Sequence, residues 1–115
     1  MPSSPTVTAH FAKSAASVRT TYDTLLTAAR ALGPVHEEPK KTSIHLVRTS
    51  AFAGIATRKH GLVLTLKSTK RVASPRVRRA EQASTNRWHL EIPLVSPDDV
   101  DAELRRWLRD AYELA

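Results

Sequence analysis

The chain lacks cysteine altogether and has only three glycines and six aromatic residues among its 115 positions. Without cysteine it has no disulfide framework, no thiol catalysis and no cysteine-ligated zinc site. Gly33, Gly54 and Gly61 are far apart, which excludes a glycine-rich phosphate-binding loop. No apolar run approaches the ~20 residues that cross a bilayer, and the start lacks the pattern of a signal peptide. We therefore expect a cytoplasmic protein that does not engage a membrane.

The length and composition favour one folded domain. A chain of 115 residues with 41% hydrophobic and 25% charged residues can bury a core without a metal or disulfide. Pro2, Pro5 and the neighbouring serines and threonines indicate a loose start. The predicted organisation is a flexible N-terminal arm over residues 1–12 and a single α+β domain over residues 13–115.

Helices are predicted near both ends of this domain. The first begins near Ser14 or Ser17, and Gly33 followed by Pro34 ends it. The second begins at Ser96-Pro97-Asp98-Asp99, where serine caps, proline takes the first helical position and the acids meet the helix dipole. Apolar residues recur at spacings of three and four in both segments, which gives each helix one face for a core.

Strands are predicted between the helices, at residues 43–48, 51–57, 61–67, 77–83 and 87–95, of which 77–83 has the weakest pattern. Residues 35–42 are interpreted as a polar connection. Pro93 indicates that the last strand lies at an edge, or that its imino side faces out of the ladder. The predicted fold class is α+β, with an antiparallel sheet of four to five strands and both helices packed on one face.

The residue pattern does not predict an enzyme, a metal site or a cofactor site. His36, Glu37 and Glu38 are potential metal donors, but consecutive residues in a loop point apart. No serine lies in a glycine-flanked elbow of the kind that presents a nucleophile. The acid pairs Glu37/Glu38 and Asp98/Asp99 are interpreted as loop and helix-cap residues.

His45 and His89 define a candidate ligand face. Both are expected on the side of the sheet opposite the core leucines, and if their strands were neighbours the two imidazoles would face each other beside Glu91. The alternative is that both are ordinary solvent-exposed strand residues. A small ligand or a metal ion is the corresponding functional hypothesis.

The charge distribution carries most of the functional content. The net charge is +7, yet residues 58–90 hold nine basic side chains against one acidic, and residues 91–115 hold three basic against seven acidic. This asymmetry predicts a non-enzymatic binding module with a basic surface for nucleic acid or an acidic protein. With few aromatic rings, contacts to phosphates would dominate and sequence specificity would be low. The candidate binding residues are Lys67, Lys70, Arg71, Arg76, Arg78, Arg79 and Arg87.

Two other interpretations of the same sequence stay open. The basic segment is also consistent with an arginine-rich surface that the acidic last helix partly neutralises. Self-association is the second, as a homodimer formed through the last helix or through an apolar sheet edge around Pro93.

Several short motifs make the chain similar to a known family. They are Gly33-Pro34-Val35, Lys41-Thr42, Phe52-Ala53, Ser96-Pro97-Asp98-Asp99-Val100-Asp101 and Trp107-Leu108-Arg109-Asp110-Ala111-Tyr112. Over residues 10–114 the chain resembles the bacterial domains known as domain of unknown function 5655. The resemblance implies a bacterial protein and carries over no catalytic residue. Lys41, Thr42 and His89 are the motif and strand positions expected to do more than pack. A looser likeness in layout to small DNA-binding domains, with a meander sheet and flanking helices, favours the basic-surface hypothesis.

Overall fold

The computed structural model describes residues 6–115, which form three helices and six strands. The helices are α1 (Val7–His10), α2 (Ala16–Arg30) and α3 (Ala102–Glu113), with a 3-10 turn at Pro97–Asp99. The strands are β1 (His36–Pro39), β2 (Ile44–Val47), β3 (Ala51–Thr57), β4 (Leu62–Ser68), β5 (Arg79–Ser84) and β6 (Arg87–Leu94). None of the helices in this part of the chain is long and apolar enough to cross a membrane.

All six strands belong to one antiparallel sheet in the order β1-β2-β3-β4-β6-β5. In the ladder Leu64 lies between Ile55 of β3 and Ile92 of β6, and all three side chains are fully buried. Tyr22 of α2 and Leu108 of α3 belong to the same apolar cluster. Because side chains alternate across a strand, this cluster occupies one face of the sheet and leaves the other uncovered by α2 and α3. The predicted α+β class is confirmed.

The sheet has one strand more than the four to five predicted, because residues 36–39 form β1. Their sequence, His-Glu-Glu-Pro, has no apolar alternation, so pairing with β2 and a contact with α2 make the strand. The Tyr22 hydroxyl donates a short hydrogen bond to the Glu37 carboxylate, which Arg30 also approaches to 3.5 Å. Burial first, and then the hydrogen bond to Glu37, raises the pKa of Tyr22, so the phenol remains the donor.

β6 is an interior strand, so of the two alternatives predicted from Pro93 the edge strand is wrong and the outward-facing imino side is right. The Arg78 N–H donates to the Glu91 carbonyl at 2.9 Å, so the backbone groups of Glu91 point toward β5. Those of Pro93 point the same way, beyond the point where the β5 ladder begins with Arg79 opposite Glu91. The missing N–H therefore costs no ladder bond. Around Pro93, β6 extends past the end of β5 and pairs only with β4, so the self-association predicted there stays a prediction.

The helix starts differ from the predicted ones in their caps. Ala15 precedes α2 without a side-chain cap, while the Ser14 hydroxyl donates to the Arg58 carbonyl at 2.7 Å. Ser96 and Asp99 form a capping box around the 3-10 turn, and α3 itself begins three residues later, at Ala102, with Asp101 as its cap. Within the predicted N-terminal arm the structure contains α1, and residues 1–5 of that arm lie outside the described residues.

Candidate functional site

A cleft of about 720 Å³ lies between α3 and the connection from β4 to β5 (residues 69–78). We call it the α3 cleft. Its basic lining residues come from both walls and are Lys67, Lys70, Arg71, Arg106 and Arg109. Asp110 and Glu113 are its carboxylates. Because α3 packs against the core with its apolar side, its arginines are left to line the cleft beside the connection.

Arg76 attaches this connection to the start of α3. Its Nη1 donates to both carboxylate oxygens of Asp101, at 2.8 and 2.9 Å, and to Glu103 Oε1 at 3.3 Å. Its Nη2 donates to the Asp99 carbonyl at 2.7 Å, and the guanidinium carbon lies 5.8 Å from the centre of the Trp107 ring. One side chain thus fixes the far end of the loop that forms a wall of the cleft.

The charges of this cluster stabilise one another. Burial alone lowers the pKa of Arg76, but the hydrogen bonds and charges of Asp101 and Glu103 outweigh it and raise that pKa above its ordinary value. The Leu104 backbone N–H, which donates to Asp101 at 3.0 Å, and then the Arg76 guanidinium hold the pKa of Asp101 below its ordinary value. Arg76 is therefore engaged within the fold rather than available to a partner.

The near end of the connection is fixed by Ser68. Its hydroxyl donates to the Lys70 carbonyl at 2.7 Å and accepts from the Lys70 N–H at 3.2 Å. This tight turn leaves Lys70 and Arg71 exposed at the mouth of the cleft.

None of the five cleft cations has an ion-pair partner in the part of the chain that the structure describes. No carboxylate of residues 6–115 lies within 4.0 Å of the charged nitrogens of Lys67, Lys70, Arg71, Arg106 or Arg109. The deeper lining is apolar and includes Val72, Leu90 and the half-buried Trp107. The cleft therefore combines exposed, unpaired cations with a half-buried aromatic ring.

The family model of domain of unknown function 5655 matches residues 7–115. The chain belongs to this family. The resemblance inferred from the sequence motifs over residues 10–114 is therefore confirmed. Comparison with curated proteins and with solved structures gave no significant match.

In this member of domain of unknown function 5655, the seven basic residues predicted from the sequence are not all brought together. Lys67, Lys70 and Arg71 line the α3 cleft. Arg76 pairs with the cap of α3, Arg78 lies 3.4 Å from Glu91, and Arg79 lies 2.6 Å from Glu81. Arg87 donates to the Asn86 carbonyl at 2.9 Å in the β5–β6 hairpin. Of the seven residues predicted to form one cluster, three therefore lie together in the cleft and four do not.

The sequence motifs did not assign Arg106, Trp107 and Arg109 to this cleft. In the sequence Trp107 belongs to the apolar stripe of the last helix, and the arginines near the end of a helix have a ready explanation in the helix dipole. Only the way the 69–78 connection folds back along α3 places them beside Lys70 and Arg71. No local spacing in the sequence encodes that contact.

The structure does not bring the four residues of the predicted ligand face together. Lys41 and Thr42 are exposed in the turn between β1 and β2, where the Lys40 N–H donates to the Ser43 carbonyl at 2.7 Å. His45 and His89 lie on the uncovered face of the sheet, on β2 and β6, so β3 and β4 separate them and they do not face each other. Both nevertheless line one shallow cavity on that face. Among residues 6–115 no three histidine or carboxylate side chains gather as a metal site would require.

Proposed function

We propose that this domain is a non-enzymatic binding module that holds a single-stranded nucleic acid in the α3 cleft. The observation that supports it is the set of unpaired cations that line the same cleft as Trp107. With five basic and two acidic side chains, the lining has a net charge of +3. Proteins that bind single strands without sequence preference combine a positive groove with an aromatic ring on which a base can stack.

The shape of the site favours a single strand over a duplex. A duplex is usually contacted by a protruding helix or ribbon that enters a groove, whereas here the cations line a depression of about 720 Å³. A depression of this size admits a few nucleotides. Their phosphates would meet Lys70, Arg71, Arg106 and Arg109, and a base would reach Trp107.

The test is fluorescence anisotropy with a labelled oligonucleotide of about 12 nucleotides. Binding is expected at ~50 mM salt, and the logarithm of the affinity should fall with the logarithm of the salt concentration by about 0.7 for each phosphate neutralised. Absence of binding at that salt concentration overturns the proposal.

Arg105 and Arg106 offer a matched pair for locating the site. Both are exposed on α3, but Arg106 lines the cleft and Arg105 lines a different groove against α2. Arg106→Ala should weaken binding and reduce the salt slope by about 0.7, while Arg105→Ala should change neither. Equal effects of the two substitutions would show diffuse attraction to the net charge and contradict a site in the cleft.

A poly-glutamate of equal charge distinguishes nucleic acid from an acidic protein. Since it cannot stack on Trp107, it should compete poorly with the oligonucleotide. Equal competition would identify an acidic protein as the partner class and contradict nucleic acid binding.

A further inference from the structure

A second cavity lies on the face of the sheet that α2 and α3 leave uncovered. It has a volume of about 430 Å³, within the range of small-molecule sites. We call it the open-face cavity. Its floor is formed by small residues of β3, among them Ala51, Gly54 and Ala56, and its polar lining includes His45, Thr65, Lys67 and His89.

Gly54 gives this cavity its depth. It pairs directly with His45 in the ladder, and a Cβ atom built on Gly54 would lie 3.7 Å from His45 Cδ2. The imidazole therefore lies beside bare backbone, at ordinary contact distance from the place that any side chain at position 54 would occupy. The Cβ atom of a larger residue there would meet no backbone atom, and the rest of its side chain would occupy part of the cavity.

The polar groups of the open-face cavity are donors without a carboxylate among them. Lys67 and His89 are direct cross-strand partners at one end, and Lys67 Nζ donates to the Ser50 hydroxyl at 3.2 Å. The Thr65 hydroxyl and the His45 imidazole follow toward the other end. No aspartate or glutamate lines the cavity.

The carboxylates nearest to this cavity are each paired with a cation outside it. Glu38 lies opposite His45, Glu91 opposite Thr65, and Glu81 opposite His89 in the ladders. Their partners are Lys40 at 3.2 Å, Arg78 at 3.4 Å and Arg79 at 2.6 Å. These three carboxylates share the open face with the cavity, but none of them lines it, and each of these ion pairs offsets a negative charge beside it.

We propose that the open-face cavity binds a small organic anion, a carboxylate or phosphate attached to a flat apolar body. The anionic group lies at the Lys67–His89 end and accepts hydrogen bonds from both side chains. The apolar body lies over Gly54 and the neighbouring alanines toward His45. His45 and His89 are separated by three strand spacings, about 14 Å, and by a two-residue offset along the strands, so one small oxyanion alone cannot reach both.

The probes are naphthyl phosphate, naphthoate and the neutral naphthol, titrated into isotope-labelled protein and followed by amide NMR. Both anions should shift the resonances of Gly54, Thr65 and His89, and the two together reveal whether phosphate or carboxylate is preferred. Naphthol should bind at least about ten-fold more weakly, because it lacks the charge-assisted hydrogen bonds. No shift at these residues with either anion at about 1 mM overturns the proposal.

Three variants locate the site. Gly54→Val occupies part of the cavity and should abolish binding, and His89→Gln should weaken it about ten-fold or more. His60→Gln is the matched control, since His60 is exposed in the β3–β4 turn and does not line the cavity. Wild-type affinity in folded Gly54→Val and in His89→Gln contradicts the proposal.

This inference is independent of the nucleic acid proposal. Arg106→Ala should leave naphthyl phosphate binding unchanged, and Gly54→Val should leave oligonucleotide binding unchanged. Lys67 lines both cavities and is therefore not used to separate them.

Discussion

At the scale of single residues, several of the family-motif positions converge on Tyr112. Its hydroxyl donates to the Pro34 carbonyl at 3.1 Å, and Phe52 packs edge-on against its ring with centroids 5.2 Å apart. Arg48 lies 4.5 Å from the ring centre and donates to the Tyr112 carbonyl at 3.1 Å. Together with Arg48, the motif residues Pro34, Phe52 and Tyr112 hold the end of α3 against β3 and the turn after α2, and these contacts are structural.

Gly33 lies against this cluster at a position where a side chain would not fit. Its φ of 149° is in the range that L-residues rarely adopt, and a Cβ there would collide with the Tyr112 hydroxyl. Gly33→Ala should lower the free energy of unfolding by about 1–3 kcal/mol in urea denaturation. Gly54→Ala, which meets only ordinary contacts and no such φ, is the control and should be near neutral. Equal stability of the two variants would contradict the account, and Tyr112→Phe should partly rescue Gly33→Ala.

At the scale of elements, the sequence predicted the helices and strands in which apolar residues recur at a regular spacing. The alternation Leu62, Leu64, Leu66 and the stripe of α2 were sufficient because burial on one face requires that spacing. Strand β1 was not predictable, because its polar residues become a strand only by pairing with β2 and by the Tyr22–Glu37 contact. The insertion of β6 between β4 and β5 was also beyond the sequence, since it depends on how the 69–78 connection returns along α3.

The connection from β4 to β5 depends on Arg76 for its attachment to α3. Arg76→Ala removes the hydrogen bonds to Asp101, Glu103 and the Asp99 carbonyl and should lower the free energy of unfolding by about 2 kcal/mol. Arg78→Ala is the control, because its pair with Glu91 is more exposed and should contribute less than about 1 kcal/mol. A loss no larger than that of the control would show that the connection is held by other contacts.

The Arg76–Asp101 pair predicts how the stability of the fold changes with pH. Since the pKa of Asp101 is lowered in the folded state, its ionised form stabilises the fold above the unfolded pKa, about 3.9. That contribution is lost as the pH falls through the lower, folded pKa. The stability difference between the wild type and Arg76→Ala should therefore be full at neutral pH and shrink below about pH 4. Thermal melts across this range measure it, and a difference that grows in acid would contradict the role of Asp101.

At the scale of the whole molecule, the opposite charges of the middle segment and the last helix meet only in part. The start of α3 supplies Asp101 and Glu103 to Arg76, whereas farther along the helix Arg106 and Arg109, together with Asp110 and Glu113, line the same cleft as Lys70 and Arg71. Neutralisation of the basic segment by the last helix thus applies to the start of α3, where Arg76 pairs with Asp101 and Glu103. The basic binding site applies to the part of α3 that follows. The sequence shows the acidic and the basic residues of α3, but only the packing of the 69–78 connection along the helix shows which of them meet Arg76 and which line the cleft.

The topology also predicts where the molecule opens first. Strand β5 pairs only with β6, and all its side chains are exposed except the half-buried Ala80, whereas β4 lies in the sheet interior with Leu64 and Leu66 fully buried. Opening β5 exposes little apolar surface, while opening β4 requires the core to be lost.

Amides of β5 bonded to β6 should therefore exchange with solvent through local opening, at a free energy well below that of β4 and nearly independent of denaturant. Amides of β4 should exchange only by global unfolding, with a steep denaturant dependence. Native-state hydrogen exchange at several urea concentrations measures both. Equal exchange free energies in β4 and β5 would show that the edge strand opens only together with the core, as one cooperative unit, and would contradict the independence that its exposed side chains imply.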